Sequence, residues 1–349
     1  MKRRWIAAGC FAALALFVVT AFGASRQVRT EPERLEFVET HMGARVRILL
    51  YTTEPQVAKR AVEAAFARIA ELDKSFSDYD NGSELMRLVN HFAEGPAEPV
   101  EVSQDLFDIL TRAESISRST GGAFDVTAAP LIRQWRRAFR EKKLPSADNL
   151  AKAREQVGFE RIRRIEPGRK IALEPGTRID LGGIAKGYAA AAALQVLRKL
   201  GVESALVAVA GDIALGSPPP GQKGWAVEVA GLNPNSDLPL VRLRLRDATI
   251  STSGDAERFV EIDGRRYSHI VDPRTGFGVT RRATVTVISQ DGSATDAYAT
   301  SLYLLGVNGP ELTGKLRNAP PLAVSWLELT GDRHAEQRTN RAFDTLPRE

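Results

Sequence analysis

The chain has 349 residues, 43% of them hydrophobic and 26% charged, which is the composition of a globular protein with one or two domains. Its net charge of +5 includes Lys2, Arg3 and Arg4, so the remainder is close to neutral and nucleic-acid binding is not indicated. The single cysteine, Cys10, excludes disulfides and cysteine-ligated metal from the rest of the chain. The four histidines show no zinc-binding spacing.

The N-terminus has the pattern of a bacterial export signal. Residues 1–24 contain a basic start, an apolar run at 5–22 and cleavage positions after Ala21 or Gly23. The run is nearly long enough to span a bilayer, so an uncleaved anchor is the alternative. Lipid attachment at Cys10 is disfavoured because most of the apolar run follows it. Both alternatives predict export to the periplasm or the periplasmic face of the inner membrane, with membrane association only through this segment.

The rest of the chain is predicted to form one domain. Residues 25–34 are a polar linker, 35–332 a single α+β domain of mixed, largely antiparallel sheets with packed helices, and 333–349 a loose polar tail. Apolar periodicity, caps and glycine stops locate the elements. In chain order they are strands within 35–51, helices at 56–72, 83–91 and 103–119, a helix containing Trp135, a helix at 146–157, a hairpin at 162–173, one strand at 204–215, strands at 225–229 and 238–246, a turn at 250–258, a strand at 284–289, a helix at 294–305 and strands near 322–329.

The stretch 178–201 is the most informative local pattern. It reads as a strand end, a turn at Gly182-Gly183 and a helix that ends at Gly201. The glycine pair is expected to adopt backbone angles that other residues avoid. Lys186 lies at the helix start, where free N–H groups favour anions. This predicts a phosphate-binding turn, although the spacing matches neither a Walker loop nor a Rossmann turn. The alternative is a surface turn with a solvated lysine.

Other polar residues lie in loops and on the last long helix. Asp125 is predicted to bind main-chain amides or, as the alternative, to form an ordinary Asx turn, and the turn at 268–276 carries His269. Asp296 and Thr300 are four residues apart, so they share one helix face. Their oxygens suit Mg²⁺, although a helix-start carboxylate and a packed hydroxyl are the alternative. With the lysine turn, they fit a phosphate-bearing cofactor with Mg²⁺ across its diphosphate.

Eight segments in order resemble the ApbE family of FAD:protein FMN transferases, over about residues 37–305. They are MGARVRI, ELDKSFSDYDNGSEL, GGAFDVTAAPLIRQW, IDLGGIAKGYA, GDI, STSGDAER, SHIVDPRTG and ATDAYATSLYLLG. The resemblance implies an ApbE-like, T-fold-related architecture. It also implies transfer of FMN from FAD, with release of AMP, onto a threonine hydroxyl of a partner flavoprotein. The acceptor would carry an S/T-G-A-T type motif, as in a redox-pump subunit or an FMN-binding domain.

The resemblance also implies roles for single residues. The FAD contacts would be Met42, Tyr79, Ala123, Phe124, Asp125, Asp180, Lys186, Tyr188, Ser253, His269 and the main chain at Ile270. The Mg²⁺ ligands would be the carbonyl of Ala185, the carboxylate of Asp296 and the hydroxyl of Thr300. Mg²⁺ and Lys186 would offset the diphosphate charge. The general base would be His269 or Asp296, and we favour His269.

The chain departs from the family pattern at several positions. Ala44 replaces a threonine, Ala208 and Ala210 stand in the Gly-Asp strand, and Ala191 replaces a frequent aspartate. A Mg²⁺-dependent FAD pyrophosphatase is one alternative, but an aromatic residue at Tyr79 favours the transferase. A non-catalytic periplasmic flavin-binding or thiamine-linked lipoprotein is another, and the retained metal pair argues against it.

Overall fold

The computed structural model describes residues 31–229, 241–256, 258–306, 308–330 and 335–349. The predicted leader at 1–24 and most of the linker at 25–34 therefore lie outside the described residues. One compact unit extends from Pro32 to Glu349. Within the ranges just given, no helix combines the length and apolar character that crossing a membrane requires.

The bounds of the elements are as follows. The strands are β1 (Glu33–His41), β2 (Ala44–Thr52), β3 (Val100–Glu101), β4 (Ile162–Ile165), β5 (Lys170–Leu173), β6 (Ala205–Val209), β7 (Asp212–Leu215), β8 (Trp225–Glu228), β9 (Arg242–Leu245), β10 (Ala248–Gly254), β11 (Phe259–Ile262), β12 (Arg265–Ser268), β13 (Ala283–Ser289), β14 (Ala323–Leu329) and β15 (Ala335–Thr339). The helices are α1 (Pro55–Phe76), α2 (Glu84–His91), α3 (Gln104–Ser119), α4 (Ala129–Glu141), α5 (Ala147–Arg154), α6 (Ala185–Lys199), α7 (Gly292–Leu305), α8 (Gly309–Leu312) and α9 (Arg341–Asp344).

The central sheet has the order β1-β2-β6-β7-β10-β13-β14-β15, and each neighbouring pair is antiparallel. Because side chains alternate along a strand, the sheet has two apolar faces. Ile48 and Leu50 pack into the main core with α1, α3, α6 and α7, whereas Leu49 joins the core on the other face. The β8–β9 hairpin covers that second face through Trp225 and Leu243.

The predicted helix caps are confirmed. The hydroxyl of Ser83 accepts from the N–H of Met86 at the start of α2, and Ser103 accepts from Leu106 at the start of α3. A serine oxygen in this position satisfies an N–H that has no partner within the helix. These two helices therefore begin where their sequences predict.

A third cluster packs α4 and α5 against the β11–β12 hairpin. The ring centroids of Trp135 and Tyr267 lie 5.2 Å apart, and Trp135 Nε1 donates to the carbonyl of Gly276 at 2.9 Å. The 268–276 turn that carries His269 is therefore anchored to α4.

Two strand predictions were wrong. Residues 204–215 form two strands, β6 and β7, joined by a turn at Ala210, whose φ is +52°. Both strands are buried, so their continuous apolar sequence conceals the turn. Residues 250–254 lie in strand β10 and not in a turn. Their serine and threonine side chains reach neighbouring elements, as when Ser251 donates to Thr295 of α7 at 3.1 Å.

The C-terminal segment also differs from its prediction. Ala335–Thr339 pairs with β14 as the edge strand β15, and Phe343 of α9 is fully buried. The hydrophobic contact of Phe343 and the strand hydrogen bonds hold residues that were expected to be a loose tail. The polar composition misleads here because an edge strand exposes most of its side chains.

Candidate active site

Helices α6 and α7 cross with their backbones in contact. A Cβ atom at Gly187 would lie 2.1 Å from the carbonyl oxygen of Gly292, and one at Gly292 would lie 2.3 Å from the carbonyl oxygen of Gly187. Asp296 Oδ2 accepts from the N–H of Gly187 at 3.1 Å. This N–H lies in the first turn of α6, where no side chain of α6 itself caps it. The crossing thus places a carboxylate of α7 at the N-terminus of α6.

We expect Gly187→Ala to destabilise the protein by about 3 kcal/mol or more, since no rotamer removes a backbone clash of this size. Chemical unfolding measures this loss. Gly95→Ala is the matched control, because a Cβ at Gly95 meets nothing within 4 Å, and it should leave stability unchanged. Equal unfolding midpoints for the two variants would contradict the helix crossing.

The glycine turn before α6 is not built as predicted. No strand leads directly into it, since residues 178–181 have no regular structure, and neither Gly182 nor Gly183 has a positive φ. Instead, glycine is needed at both positions because a side chain there would come too close to neighbouring atoms. A Cβ at Gly182 would lie 2.9 Å from Asp180 Oδ1, and one at Gly183 would lie 3.2 Å from the Phe124 ring. The backbone here is therefore closely surrounded by Asp180 and Phe124.

Lys186 lies between two buried carboxylates. Its Nζ donates to the carbonyl of Gly182 at 2.8 Å and lies 3.6 Å from Asp212 Oδ2 and 3.9 Å from Asp296 Oδ2. The negative charge of Asp296 raises the pKa of Lys186, against the opposing effect of burial, so the amine is protonated. Burial, together with Asp296, raises the pKa of Asp212 to about 7. These contacts contradict the alternative of a solvated lysine.

Asp212 is a site residue for which the sequence analysis predicted no role. It lies in the GDI segment and is only 6% exposed at the start of β7. A buried aspartate within an apolar hairpin was the available signal, because such a carboxylate needs a partner. Its proximity to Lys186 depends on the sheet pairing, which local sequence does not reveal.

Thr300 and Ser253 lie together next to this cluster. Their hydroxyl oxygens are 3.1 Å apart, and a Cβ at Gly183 would lie 3.6 Å from Thr300 Oγ1. Ala185, the first residue of α6, is buried one residue before Lys186. In the parts of the chain that are described, no three His, Cys, Asp or Glu side chains are grouped to hold a metal. A magnesium site here would therefore need hydroxyl and carbonyl oxygens beside its carboxylate.

Tyr79 is a 76% exposed residue whose ring lies over Arg136. The Arg136 Cζ atom lies 4.7 Å from the centroid of the Tyr79 ring. The same guanidinium donates to Asp78 Oδ2 at 2.9 Å and to Asp180 Oδ2 at 2.7 Å. Burial raises the pKa of Asp180 above its usual value, and the positive charge of Arg136 only partly opposes this shift. Arg136 had no role in the sequence analysis.

The loop at 123–125 packs beneath the glycine turn. Ala123 and Phe124 are buried. Asp125 Oδ1 accepts from both the N–H and the hydroxyl of Thr127, at 2.8 and 2.6 Å, which confirms the Asx-turn alternative. The carboxylate of Asp125 is thus used within its own loop.

Met42 has a φ of +52°, and its N–H donates to Asp73 Oδ2 at 2.8 Å.

His269 has a hydrogen-bond partner at only one of its two ring nitrogens among the described residues. Its Nδ1 lies 3.1 Å from the carbonyl oxygen of Arg258. A carbonyl only accepts, so Nδ1 carries the proton and Nε2 keeps its lone pair. His269 is exposed at the surface, but the protein packed around it displaces part of its hydration and lowers its pKa, and the positive charges of Arg258 and Lys186 act in the same direction. The main chain of Ile270 is used within the turn, because its N–H donates to Ser268 and its carbonyl accepts from Val279.

Tyr188 is not brought to the Lys186 cluster. Two residues correspond to about 200° around a helix, so Tyr188 projects from the other side of α6. Its hydroxyl donates to Asp105 Oδ1 at 2.9 Å, and its ring meets Phe76 edge-on at 5.5 Å. The contact of Tyr188 with FAD that the resemblance implies is therefore not explained by this arrangement, and it stays a prediction.

Comparison with known proteins identifies the family of this chain. The model of the ApbE family matches residues 42–320. An FAD:protein FMN transferase of Treponema pallidum is 30% identical over 305 residues, covering 82% of each chain. The apo flavinyl transferase ApbE of Pseudomonas stutzeri superposes with a TM-score of 0.77 at 26% identity, covering 91% of this chain and 98% of that one. The ApbE protein of Thermotoga maritima gives 0.78 at 26% identity, covering 91% and 100%. The chain described here belongs to the ApbE family.

Proposed function

We propose that this chain transfers FMN from FAD to a threonine hydroxyl of an acceptor protein and releases AMP, in a Mg²⁺-dependent reaction. The observation that carries the proposal is the cluster at the α6–α7 crossing. There Lys186 lies within 3.9 Å of two buried carboxylates, beside the glycine turn and Thr300. The names of the relatives, an FAD:protein FMN transferase and a flavinyl transferase, support the flavin-transfer part of this proposal.

The donor set fits a magnesium ion. Asp212 and Asp296 are both buried and share one ammonium group, so the cluster favours added positive charge. Carboxylate, hydroxyl and carbonyl oxygens are the hard ligands that Mg²⁺ prefers. Asp296, Thr300 and the carbonyl of Ala185 would hold it. When bound, the ion would neutralise charge on the diphosphate as a Lewis acid.

The chain's own side chains would position FAD and move one proton. Lys186 supplies a second positive charge to the diphosphate, and Tyr79 offers an exposed ring face to the flavin. His269 Nε2 accepts the proton from the acceptor hydroxyl. The threonine oxygen then forms a bond to the phosphorus of the FMN half. The bond from that phosphorus to the bridging oxygen breaks, and AMP leaves with the electron pair.

The partner and compartment are part of the proposal. The acceptor is a flavoprotein with an S/T-G-A-T type motif, and the leader delivers the enzyme to the periplasmic side of the inner membrane. Mass spectrometry tests the activity after incubation of the exported body, which is the chain without its predicted leader at 1–24, with FAD, Mg²⁺ and such an acceptor. We expect an FMN-sized addition that disappears when the motif threonine is changed to valine. AMP release without any addition would favour the pyrophosphatase instead.

The pH dependence of transfer should report His269. A general base works only when unprotonated, so the rate falls as pH falls through its pKa. Because the pKa of His269 is lowered, we expect the acid limb of kcat/KM to lie below the usual histidine value of about 6.5. His269→Gln should reduce kcat/KM about 100-fold and remove this limb. His91→Gln is the control, and an unaltered profile in His269→Gln would reject the histidine as base.

A further inference from the structure

Arg136 contacts both Tyr79, the proposed flavin-binding residue, and Asp180, which lies at the glycine turn before Lys186. We propose, on the basis of the function proposed above, that Arg136 is a positioning residue that fixes the Tyr79 ring as the platform for the flavin. The ligand is therefore the isoalloxazine ring of FAD, and Arg136 acts on it through Tyr79.

The geometry fixes the guanidinium in three directions. Nη1 donates to Asp78 Oδ2 at 2.9 Å and Nη2 to Asp180 Oδ2 at 2.7 Å, which defines the plane of the group. Its Cζ lies 4.7 Å from the Tyr79 ring centroid, the distance of a cation–π contact. Asp78 and Tyr79 are neighbours in sequence, so one arginine holds both the backbone segment and the ring that it carries.

Tyr79 needs such support because the residue is 76% exposed. An exposed aromatic ring without a contact samples several rotamers, and ordering it costs free energy on ligand binding. A guanidinium beneath one face reduces this cost and leaves the other face for a planar ligand. The exposure of Tyr79 therefore leaves one face of its ring accessible, so that the flavin ring can stack on it.

The other end of Arg136 is anchored at the turn. Asp180 Oδ1 accepts from the N–H of Gly182 at 2.8 Å, and the carbonyl of Gly182 accepts from Lys186 at 2.8 Å. A continuous series of contacts therefore connects the Tyr79 ring with the lysine. Asp180 keeps its bond to Gly182 even without Arg136, so the turn is expected to survive loss of the arginine.

The test compares FAD with ADP, which has the adenosine and diphosphate but no flavin. In the exported body with Mg²⁺, Arg136→Met should weaken FAD binding about tenfold and ADP binding less than about twofold. It should also reduce the quenching of flavin fluorescence on binding. Arg137→Met is the matched control, because Arg137 is exposed and pairs with Glu141 one turn along α4. The control should leave both affinities unchanged.

Two further variants separate positioning from folding. Arg136→Lys keeps a cation but cannot span both carboxylates, so it should restore only part of the FAD affinity. In a Tyr79→Leu background, Arg136→Met should cause no further loss of FAD affinity, because the ring on which it acts is gone. Equal losses for FAD and ADP, or additive losses in the double variant, would overturn the inference. Wild-type protein that binds neither ligand would overturn the proposed function and this inference with it.

Discussion

Asp296→Asn is expected to lower the Mg²⁺-dependent rate of FMN transfer about 1,000-fold, while the protein stays folded. Asparagine keeps the size of the side chain and can still accept from the N–H of Gly187, which Asp296 caps at 3.1 Å. Only the negative charge at the proposed metal position is lost. Steady-state transfer rates at several Mg²⁺ concentrations measure the effect.

Asp291→Asn is the matched control for this variant. Asp291 is the N-cap of the same helix α7, and asparagine caps as well as aspartate does. The control should keep its rate within a few-fold of the wild type. A similar rate in Asp296→Asn, at unchanged Mg²⁺ dependence, would remove Asp296 from the metal site. Thermal melting of both variants shows whether the α6–α7 crossing is intact.

Lys186→Met should reduce the transfer rate by about 100- to 1,000-fold and weaken the binding of ADP. The substitution removes the only cation within 4 Å of Asp212 and Asp296 among the described residues. Two buried carboxylates then repel each other and the incoming diphosphate. Transfer kinetics and ADP titration measure the two effects.

The same variant should gain more stability from Mg²⁺ than the wild type does, because the ion then supplies the only compensating charge at the two carboxylates. Lys199→Met, in the last turn of α6, is the control and should behave as the wild type. A Lys186→Met variant with wild-type kinetics would show that the lysine has only a structural role.

Local sequence predicted the helices better than the strands. Ser83 and Ser103 predict helix starts because an N-cap depends on residues within one turn. The β6–β7 turn at Ala210 escaped prediction because burial on both faces removes the alternation that marks a strand end. Phe343 was missed for a related reason, since its burial depends on a sheet face formed elsewhere in the chain.

The candidate site was predicted where its residues lie in short motifs. Lys186 and Asp296 were grouped because an anion-binding turn and a pair of hard oxygen ligands together suit a diphosphate with Mg²⁺, and the structure places them 3.9 Å apart. Gly182 was correctly singled out, but its role is to leave space for Asp180 and not to adopt an unusual angle. Arg136 and Asp212 were not predicted, because their importance lies in contacts across the fold.

The most direct test is a crystal of the exported body soaked with FAD and Mn²⁺ in place of Mg²⁺, examined by anomalous scattering. We expect a manganese peak about 2.1 Å from a carboxylate oxygen of Asp296, shared with Thr300 and a diphosphate oxygen, with Lys186 turned to the diphosphate. A peak bound elsewhere, or a diphosphate that does not approach the α6–α7 crossing, would contradict the account.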